Sequence, residues 1–243
     1  MTYHKGDLIY EGKGKKVHRV ANNPDLLWLD FKDSLTAFNA QKLGSFPNKG
    51  AIGRDITSIV IRFLEMHEIS SHRVQDIGEH EMICKKLEMI PLEVVVRNVV
   101  AGSFAKKFNL PEGEVLKKPI VEFFYKKDEL GDPFISDEQA LYLNAVRSPS
   151  DLEQLKRLAL KINSALKNLF ESIGIRLVDF KLEFGYTSDG EIVLGDEITP
   201  DSCRLWDFAT NEKLDKDRFR RDLGGVADGY SEVLKRLREK EQV

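Results

Sequence analysis

The chain has 243 residues, of which 42% are hydrophobic and 32% are charged. This balance excludes a disordered or fibrous protein, and the length suits one unit of two lobes with a buried core. The chain has 37 lysines and arginines and 40 acidic residues, and the resulting net charge of −3 argues against a general nucleic-acid-binding protein.

The two cysteines, Cys84 and Cys203, lie far apart and form no C-x-x-C motif. The sequence therefore predicts neither a disulfide framework nor a zinc site. The first residues lack the apolar core of a signal peptide, and no apolar run approaches the ~18 residues of a membrane span. We expect a cytoplasmic protein.

Turn-forming and β-branched residues predict mostly short strands in the first half of the chain. Asn48 is a candidate N-cap for one longer helix, because apolar residues recur at helical spacing from Ile52 to Leu64. In chain order we predict strands at 8–10, 15–20 and 26–31 with a turn at 22–25, this helix, strands at 83–87 and 92–100, a short helix at 104–108, a strand at 120–125 and a turn at 126–133.

Two capping boxes, at 136–139 and 150–153, predict helices in the second half. The second helix has an apolar stripe from Leu152 to Phe170, and Gly174 ends it. Strands and helices mix without strict alternation, so we predict an α+β fold. The remaining predicted elements are a hairpin of strands 175–185 and 191–196 with its turn at 189–190, and a charged helix at 231–240.

The segment Tyr10–Val17 contains two glycines and three lysines between two predicted strands. Glycine lets backbone N–H groups approach an anion, so Gly12 and Gly14 with Lys13 and Lys15 are candidates for binding nucleotide phosphates. The Walker A spacing is absent, and the pattern is more typical of the strand–turn–strand flap of kinase-like folds. A solvated, lysine-rich hairpin is the alternative.

The predicted hairpin 175–196 carries a charged face. Asp179, Lys181 and Glu183 share that face because side chains alternate along a strand. A two-residue turn at 189–190 would place Glu183 directly opposite Asp196, where like charges are destabilising unless a cation bridges them. Hard oxygen ligands suit Mg²⁺, so we predict a magnesium site here, with a merely solvated face as the alternative. The other face is predicted to be apolar and to comprise Val178, Phe180, Leu182 and Phe184.

The apolar strand 92–100 contains Glu93 and Arg97 on one face and is followed by Gly102 and Ser103. A buried arginine needs a partner, and Arg97 with Ser103 can hold a phosphate or carboxylate. An internal ion pair between Arg97 and Glu93 is the alternative.

The polar loop 199–204 follows the hairpin and ends in Arg204, a second candidate for anion binding. A plain connecting loop is the alternative. Cys203 has no base beside it in sequence, so we interpret it as a packing residue. Five histidines cluster with none of these segments, and we expect them at the surface or in packing roles: His4, His18, His67, His72 and His80.

Several segments together resemble one enzyme family, SAICAR synthetase (phosphoribosylaminoimidazole-succinocarboxamide synthase). They are YEGK at 10–13, PLEVVVRN at 91–98, AGS at 101–103, LVDFKLEFG at 177–185 and GDEITPDSCRLWD at 195–207. The resemblance runs in order from about residue 8 to residue 206, with a length that suits the compact bacterial form. It departs from the family pattern at Gly14, where alanine is usual, and at His18, where tyrosine is frequent.

The resemblance implies a two-lobed α+β fold, ATP-grasp-like or kinase-like, with antiparallel sheets and an active site in the cleft between the lobes. It implies a nucleotide lobe at 1–87 and a substrate and metal lobe at 88–243. The implied reaction joins the carboxylate of CAIR, a carboxyaminoimidazole ribotide, to the amine of L-aspartate, and it yields SAICAR, ADP and phosphate. The family requires Mg²⁺ and is commonly dimeric.

Site roles carry over from the resemblance by position. Asp179 and Lys181 would face the imidazole substrate and its activated carboxylate. The residues implied for ATP are Gly12, Lys13, Gly14, Lys15, Val17, Lys85 and Met89, with Glu183 and Asp196 holding Mg²⁺. The residues implied for the substrates are Asp33, Ser34, Arg97, Gly102, Ser103 and Arg204.

Two other functions stay open on the residues alone. A small-molecule kinase would share the flap and the metal pair, but it would usually need a base for a hydroxyl acceptor, and no H-R-D or D-F-G segment is present. A nucleotide-binding regulatory module would explain residues 12–16 but not the charged strand face beside two arginines. Omitting each substrate from an ADP-release assay separates these alternatives.

Overall fold

The computed structural model of the protein describes residues 2–38 and 40–242. Its strands are β1 Lys5–Glu11, β2 Lys15–Val20, β3 Asn23–Phe31, β4 Ser34–Ala37, β5 Lys42–Ser45, β6 Arg73–Ile77, β7 Glu81–Lys85, β8 Glu88–Met89, β9 Leu92–Val99, β10 Val115–Tyr125, β11 Phe134–Ile135, β12 Ile175–Tyr186, β13 Ile192–Gly195 and β14 Cys203–Asp207. Its helices are α1 Lys49–Met66, α2 Gly102–Phe108, α3 Asp137–Tyr142, α4 Pro149–Ser172, α5 Asp217–Arg220 and α6 Val226–Glu241. The predicted α+β class is confirmed.

The first sheet is antiparallel, with the strand order β1-β2-β3-β7-β6. Residues 12–14 join β1 to β2 at the edge of this sheet, and we call this connection the glycine–lysine turn. The predicted turn at 22–25 is wrong in its bounds, because β3 already begins at Asn23 and pairs with Val20. Strands β4 and β5 form a separate two-stranded sheet that follows β3.

The second sheet has the order β11-β10-β9-β12-β13, and β8 and β14 also pair with β12. The pairing of β12 with β14 slips by one residue between Leu177 and Asp179, so β12 has a bulge at Val178. Val178 therefore packs with Val99 and Trp206, and the prediction that it shares a face with Phe180 is wrong. The bulge turns Asp179 toward the cleft.

The register of the β12–β13 hairpin differs from the predicted one. Glu183 lies opposite Gly195, not Asp196, because the connection is longer than two residues. The N–H of Thr187 donates to the Glu191 carbonyl at 2.9 Å and closes a five-residue loop. Asp196 then adopts a left-handed conformation, with φ 60°, just after β13 ends.

Helix α4 packs against the second sheet, and residues of α1 and α6 belong to the same hydrophobic core. The stripe of α4 is buried as predicted, and Gly174 follows the helix with φ +71°. Helix α1 precedes the second sheet in the chain, but its apolar face belongs to the same core. The buried residues of that face are Ile56, Ile59, Val60 and Leu64.

Helix α1 has its N-cap at Asn48 as predicted, whereas α4 begins earlier than predicted. The Asn48 side chain makes no cap hydrogen bond, and the Asp33 carboxylate instead accepts from the N–H groups of Asn48 at 3.3 Å and Gly50 at 2.9 Å. The capping box of α4 is formed by Ser148 and Asp151, two residues before the predicted one. The box at 136–139 is present as predicted.

Among residues 2–38 and 40–242, no helix combines the length and the apolar character needed to cross a membrane.

Candidate active site

A cleft of about 660 Å³ lies between the first sheet and the second sheet. Its walls come from separate parts of the chain, because β2, β3 and β7 supply one side while β9, β12 and the loops after β13 supply the other. This size is within the usual range for small-molecule and cofactor sites. The predicted chemistry-bearing residues that line it are Gly12, Lys13, Gly14, Lys15, Val17, Ser34, Lys85, Met89, Arg97, Ser103, Asp179, Lys181, Glu183, Asp196 and Arg204.

The glycine–lysine turn covers one end of the cleft. The Gly12 N–H donates to the Lys15 carbonyl at 2.8 Å, and the Ser34 hydroxyl donates to the Lys13 carbonyl at 2.7 Å. The Lys13 ammonium reaches across to Asp128, 2.8 Å away. A Cβ at Gly14 would meet no atom within 4 Å, so the alanine that is usual in the family would fit there.

The apolar end of the cleft lies beside this turn. Val17, Leu29 and Cys84 from the first sheet line it together with Leu87 and Met89. Apolar walls of this kind suit a flat, aromatic group such as a nucleotide base. Lys85 and Met89 stand at the passage from β7 to β8, where the chain crosses between the sheets.

Carboxylates and ammonium groups alternate along the middle of the cleft. Glu183 is buried, and its Oε1 lies 2.5 Å from the Lys181 ammonium. Asp196 lies 3.7 Å from the same ammonium and also pairs with Lys15. The carboxylates of Glu183 and Asp196 thus converge on one point, although they are not cross-strand partners.

Burial and charge act against each other at Asp196. Burial disfavours its ionised form, but the ammonium groups of Lys15 and Lys181 outweigh that effect and hold the pKa of Asp196 well below its usual range. Burial likewise opposes the charge on Lys181, yet Glu183 and Asp196 raise the pKa of Lys181 well above its ordinary value. Asp196 and Lys181 are therefore ionised at neutral pH.

The donor set in the middle of the cleft fits Mg²⁺. Glu183 and Asp196 offer hard carboxylate oxygens, and the nearest nitrogen donors are lysine ammonium groups, which do not bind metals while protonated. Mg²⁺ is usually held by one or two protein carboxylates together with substrate phosphates, and the cleft has room for both.

Two arginines form the polar end of the cleft. The Arg97 guanidinium donates to Glu122 at 2.5 Å, to Asp179 at 3.3 Å and to the Ser103 hydroxyl at 3.2 Å. Its partners are therefore not the Glu93 of the alternative interpretation, because Glu93 pairs with Lys181 at 3.2 Å.

Arg204 approaches the same carboxylate from the opposite side. Its Nη1 donates to both oxygens of Asp179, at 3.0 and 2.9 Å, and its Nε donates to Asp217 at 3.0 Å. Burial opposes the ionisation of Asp217, but Arg204 prevails and lowers its pKa to about 2. Two fixed guanidinium groups on either side of one carboxylate make a site for an anionic group such as a phosphate.

Gly102 and Asp33 do not line the cleft among residues 2–38 and 40–242. Gly102 has φ +55°, and a Cβ there would overlap the Arg204 guanidinium. Asp33 faces the start of α1, where it accepts the two N–H groups described above. The roles expected for these two residues in substrate binding stay predictions.

The structure adds residues that the sequence interpretation missed. His72 was expected at the surface or in packing, but it lines the cleft, and burial and the Lys15 charge lower its pKa to about 4. Glu122 lies on β10, which pairs with β9, and Lys126 lies just after β10. An even number of positions separates the two residues, so they share one face of the strand. This alternation was the signal available in the sequence. Glu197, 3.1 Å from Lys15, and Asp217 carried no comparable signal.

The loop 199–204 is more than a connection. Asp201 accepts from Lys49 at 2.5 Å and from the Tyr230 hydroxyl at 2.5 Å, which fixes the loop against α1 and α6. Cys203 is buried, and burial raises its pKa, which agrees with a packing role.

Comparison with known proteins gives consistent results. A sequence model of the SAICAR synthetase family matches residues 8–237. The phosphoribosylaminoimidazole-succinocarboxamide synthases of Wolinella succinogenes and Bacillus cereus are each 50% identical to this chain over 233 residues. The matches cover 96% of this chain and 98% and 97% of those relatives, respectively.

Solved structures agree with the sequence relatives. The crystal structure of the synthase of the same name from Ehrlichia chaffeensis superimposes with a TM-score of 0.92 at 43% identity, covering 96% of this chain and 98% of that one. A SAICAR synthetase in complex with ADP superimposes with a TM-score of 0.90 at 46% identity, covering 94% and 96%.

Proposed function

The chain belongs to the SAICAR synthetase family, and we infer from this premise that it is the ATP-dependent ligase of purine biosynthesis. It joins the carboxylate of CAIR to the amine of L-aspartate and yields SAICAR, ADP and phosphate. The family and the fold expected from the sequence are therefore confirmed. A nucleotide fits the reaction, and one of the similar solved structures carries ADP.

One observation supports this function most directly. A single cleft joins an apolar end beside a glycine–lysine turn, a middle of two carboxylates with lysines, and an end with two arginines around Asp179. A base, its phosphates and a second phosphorylated ligand would use these regions in that order. We propose that the base of ATP lies near Val17 and its phosphates near Lys15. CAIR would lie toward Arg97.

The residue roles follow from the charges. Gly12, Lys13, Gly14 and Lys15 would contact the phosphates, while Val17, Lys85 and Met89 would contact the base and ribose. Arg97, Ser103 and Arg204 would bind the CAIR phosphate, with Gly102 giving Arg204 its space. Asp33 would act by accepting from the N–H groups at the start of α1. Ser34 would act by donating to the glycine–lysine turn. These assignments are proposals.

We propose Glu183 and Asp196 as the Mg²⁺ ligands. When bound, Mg²⁺ would neutralise charge on the phosphates during phosphoryl transfer. Lys181 contacts both carboxylates and lies on the same strand face as Asp179, two residues away, so its ammonium would orient the CAIR carboxylate toward the γ-phosphate. Phosphoryl transfer depends mainly on such positioning and charge neutralisation.

We propose that the reaction passes through an acyl phosphate. A CAIR carboxylate oxygen would form a bond to the γ-phosphorus while the bond to ADP breaks. The aspartate amine would then form the amide bond to the acyl carbon, phosphate would leave, and the amine would release its proton. The carboxylate needs this activation because oxide is a poor leaving group.

The proposal also includes the lobes, the oligomeric state and the cellular location of the protein. We propose lobes at 1–87 and 88–243 and a homodimer on the family resemblance, and a cytoplasmic location on the two distant cysteines, which predict no disulfide framework. Sedimentation of the purified protein measures the oligomeric state.

ADP release by the purified protein with Mg²⁺-ATP tests the function. We expect release only when CAIR and aspartate are both present, with a succinocarboxamide product detected by mass spectrometry. Release with CAIR alone would instead indicate a kinase-like half-reaction or another amine. No release under any combination would contradict the ligase.

A further inference from the structure

Glu183 is a buried carboxylate with two ammonium partners. Its side chain is 3% exposed, its Oε1 accepts from Lys181 at 2.5 Å, and its Oε2 accepts from Lys126. Both oxygens are therefore used by lysines. A carboxylate oxygen that accepts from an ammonium group has less capacity to coordinate a cation, because the two positive charges repel each other at that distance.

The two lysines differ in how firmly they are held. Lys181 lies within β12, where Glu93 and Asp196 also contact its ammonium. Lys126 directly follows β10, and its side chain is 48% exposed. Among the ion pairs within residues 2–38 and 40–242, Glu183 is the partner of Lys126. Lys126 is therefore held at Glu183 less firmly than Lys181 is, and its half-exposed side chain can rotate toward solvent.

Lys126 also lies close to where nucleotide phosphates are expected. It lines the same cleft as Lys13 and Lys15, and it is two residues from Asp128, which the Lys13 ammonium contacts at 2.8 Å. A phosphate in front of the glycine–lysine turn would offer Lys126 an acceptor of higher charge than Glu183.

We propose that Lys126 is an exchangeable counter-ion of Glu183, which competes with the divalent cation for that carboxylate and moves to the nucleotide phosphates when the cation binds. This proposal rests on the metal and nucleotide sites proposed above. Lys126 would thereby couple the two ligands. The cation binds more tightly once the nucleotide has taken up Lys126, and by linkage the nucleotide binds more tightly when the cation is present.

The coupling predicts that removing Lys126 increases the affinity for the cation, whereas a simple loss of function would not. In the Lys126→Met variant, Mn²⁺ alone should bind to the protein about two- to fivefold more tightly, since an exposed competing charge of modest strength is gone. ADP in the presence of Mn²⁺ should bind more weakly, and the mutual enhancement of Mn²⁺ and ADP should shrink. Lys126→Arg should restore both properties in part, because it retains the charge.

Free Mn²⁺ measured by electron paramagnetic resonance reports the cation affinity without any turnover. Lys127→Met is the matched control, since it removes an exposed lysine one position away, and its Mn²⁺ affinity should equal that of the wild type. Unchanged or weaker Mn²⁺ binding in Lys126→Met would overturn the proposal. Glu183→Gln tests the metal site separately: unaltered Mn²⁺ binding in that variant would refute the site itself rather than the exchange.

Discussion

Gly102 leaves open the space that the guanidinium group of Arg204 occupies. The glycine has φ +55°, and a Cβ added there would overlap the guanidinium atoms. The short segment after β9 and the strand β14 are about a hundred residues apart in the chain, yet a side chain from one fits against the backbone of the other. This close approach explains why a glycine precedes Ser103.

The first prediction concerns this contact. Gly102→Ala should move Arg204 away from Asp179 and Ser103, so we expect the KM for CAIR to rise about tenfold or more while the KM for ATP changes little. The left-handed backbone should also cost about 1 kcal/mol or more of folding stability. Initial rates at varied CAIR and a thermal unfolding curve measure the two effects.

Gly224→Ala separates backbone strain from the lost contact. Gly224 also has positive φ, +71°, but a Cβ there meets no atom within 4 Å. It should lose stability without any change in the KM for CAIR. An equal rise of that KM in both variants would show that the Arg204 contact is not the cause.

The second prediction concerns the geometry of Arg204. Arg204→Lys keeps the charge but removes the planar fork that contacts Asp179 and Asp217 at once. We expect the KM for CAIR to rise about ten- to a hundredfold, in keeping with the loss of charged hydrogen bonds of about 1.5–3 kcal/mol. Steady-state kinetics at saturating ATP and aspartate test it, with Arg176→Lys on the surface as the control. A KM within twofold of the wild-type value would contradict the assignment.

The third prediction concerns the proposed metal ligands. Glu183→Gln removes one carboxylate charge with little change in shape, so turnover should fall strongly at limiting Mg²⁺ and recover in part at high Mg²⁺. Rates across a Mg²⁺ series measure this. Glu191→Gln, on the exposed end of the same hairpin, is the matched control. Wild-type turnover of Glu183→Gln at low Mg²⁺ would disprove the metal assignment.

The fourth prediction concerns pH. Burial, aided by the Lys15 charge, lowers the pKa of His72 to about 4, below the ordinary value near 6.5. The unfolded chain therefore binds a proton at His72 more readily than the folded protein does. The stability associated with neutral His72 is present above about pH 6.5 and is lost as the pH falls toward 4, by up to about 3 kcal/mol.

His72→Gln isolates this contribution from the carboxylates that titrate in the same range. Urea unfolding of wild type and variant between pH 7 and pH 4 should give a difference in stability that shrinks as the pH falls. A difference that stays constant across this range would mean that folding does not lower the pKa of His72.

The alternation along β12 made the charged face predictable, and Asp179, Lys181 and Glu183 do line the cleft. Local pattern could not show the bulge at Val178 or the five-residue loop after Tyr186, because the register of a hairpin also depends on its turn type and loop length, which side-chain alternation does not reveal. Asp196 still lies near Glu183, since both carboxylates contact the Lys181 ammonium. The predicted cross-strand pairing of Glu183 with Asp196 is wrong, and their role as metal ligands stays a prediction.

Residues that act through other residues were the hardest to foresee. Glu122 and Asp217 matter because each holds the Nε of a cleft arginine, and that partnership depends on which strands and loops become neighbours in space. His72 follows a bend between α1 and β6, where the sequence shows no motif. The His72 N–H donates to the carbonyl of Leu194 on β13 at 2.8 Å, and this backbone contact places His72 near Asp196.

The shared core of α1 and α6 has a consequence for synthesis of the protein on the ribosome. Helix α1 at 49–66 is made first, but part of its apolar face is covered by α6 at 226–241, which follows about 160 residues later. Contacts so distant in sequence form slowly. That part of the apolar face of α1 therefore stays exposed until the ribosome has added α6.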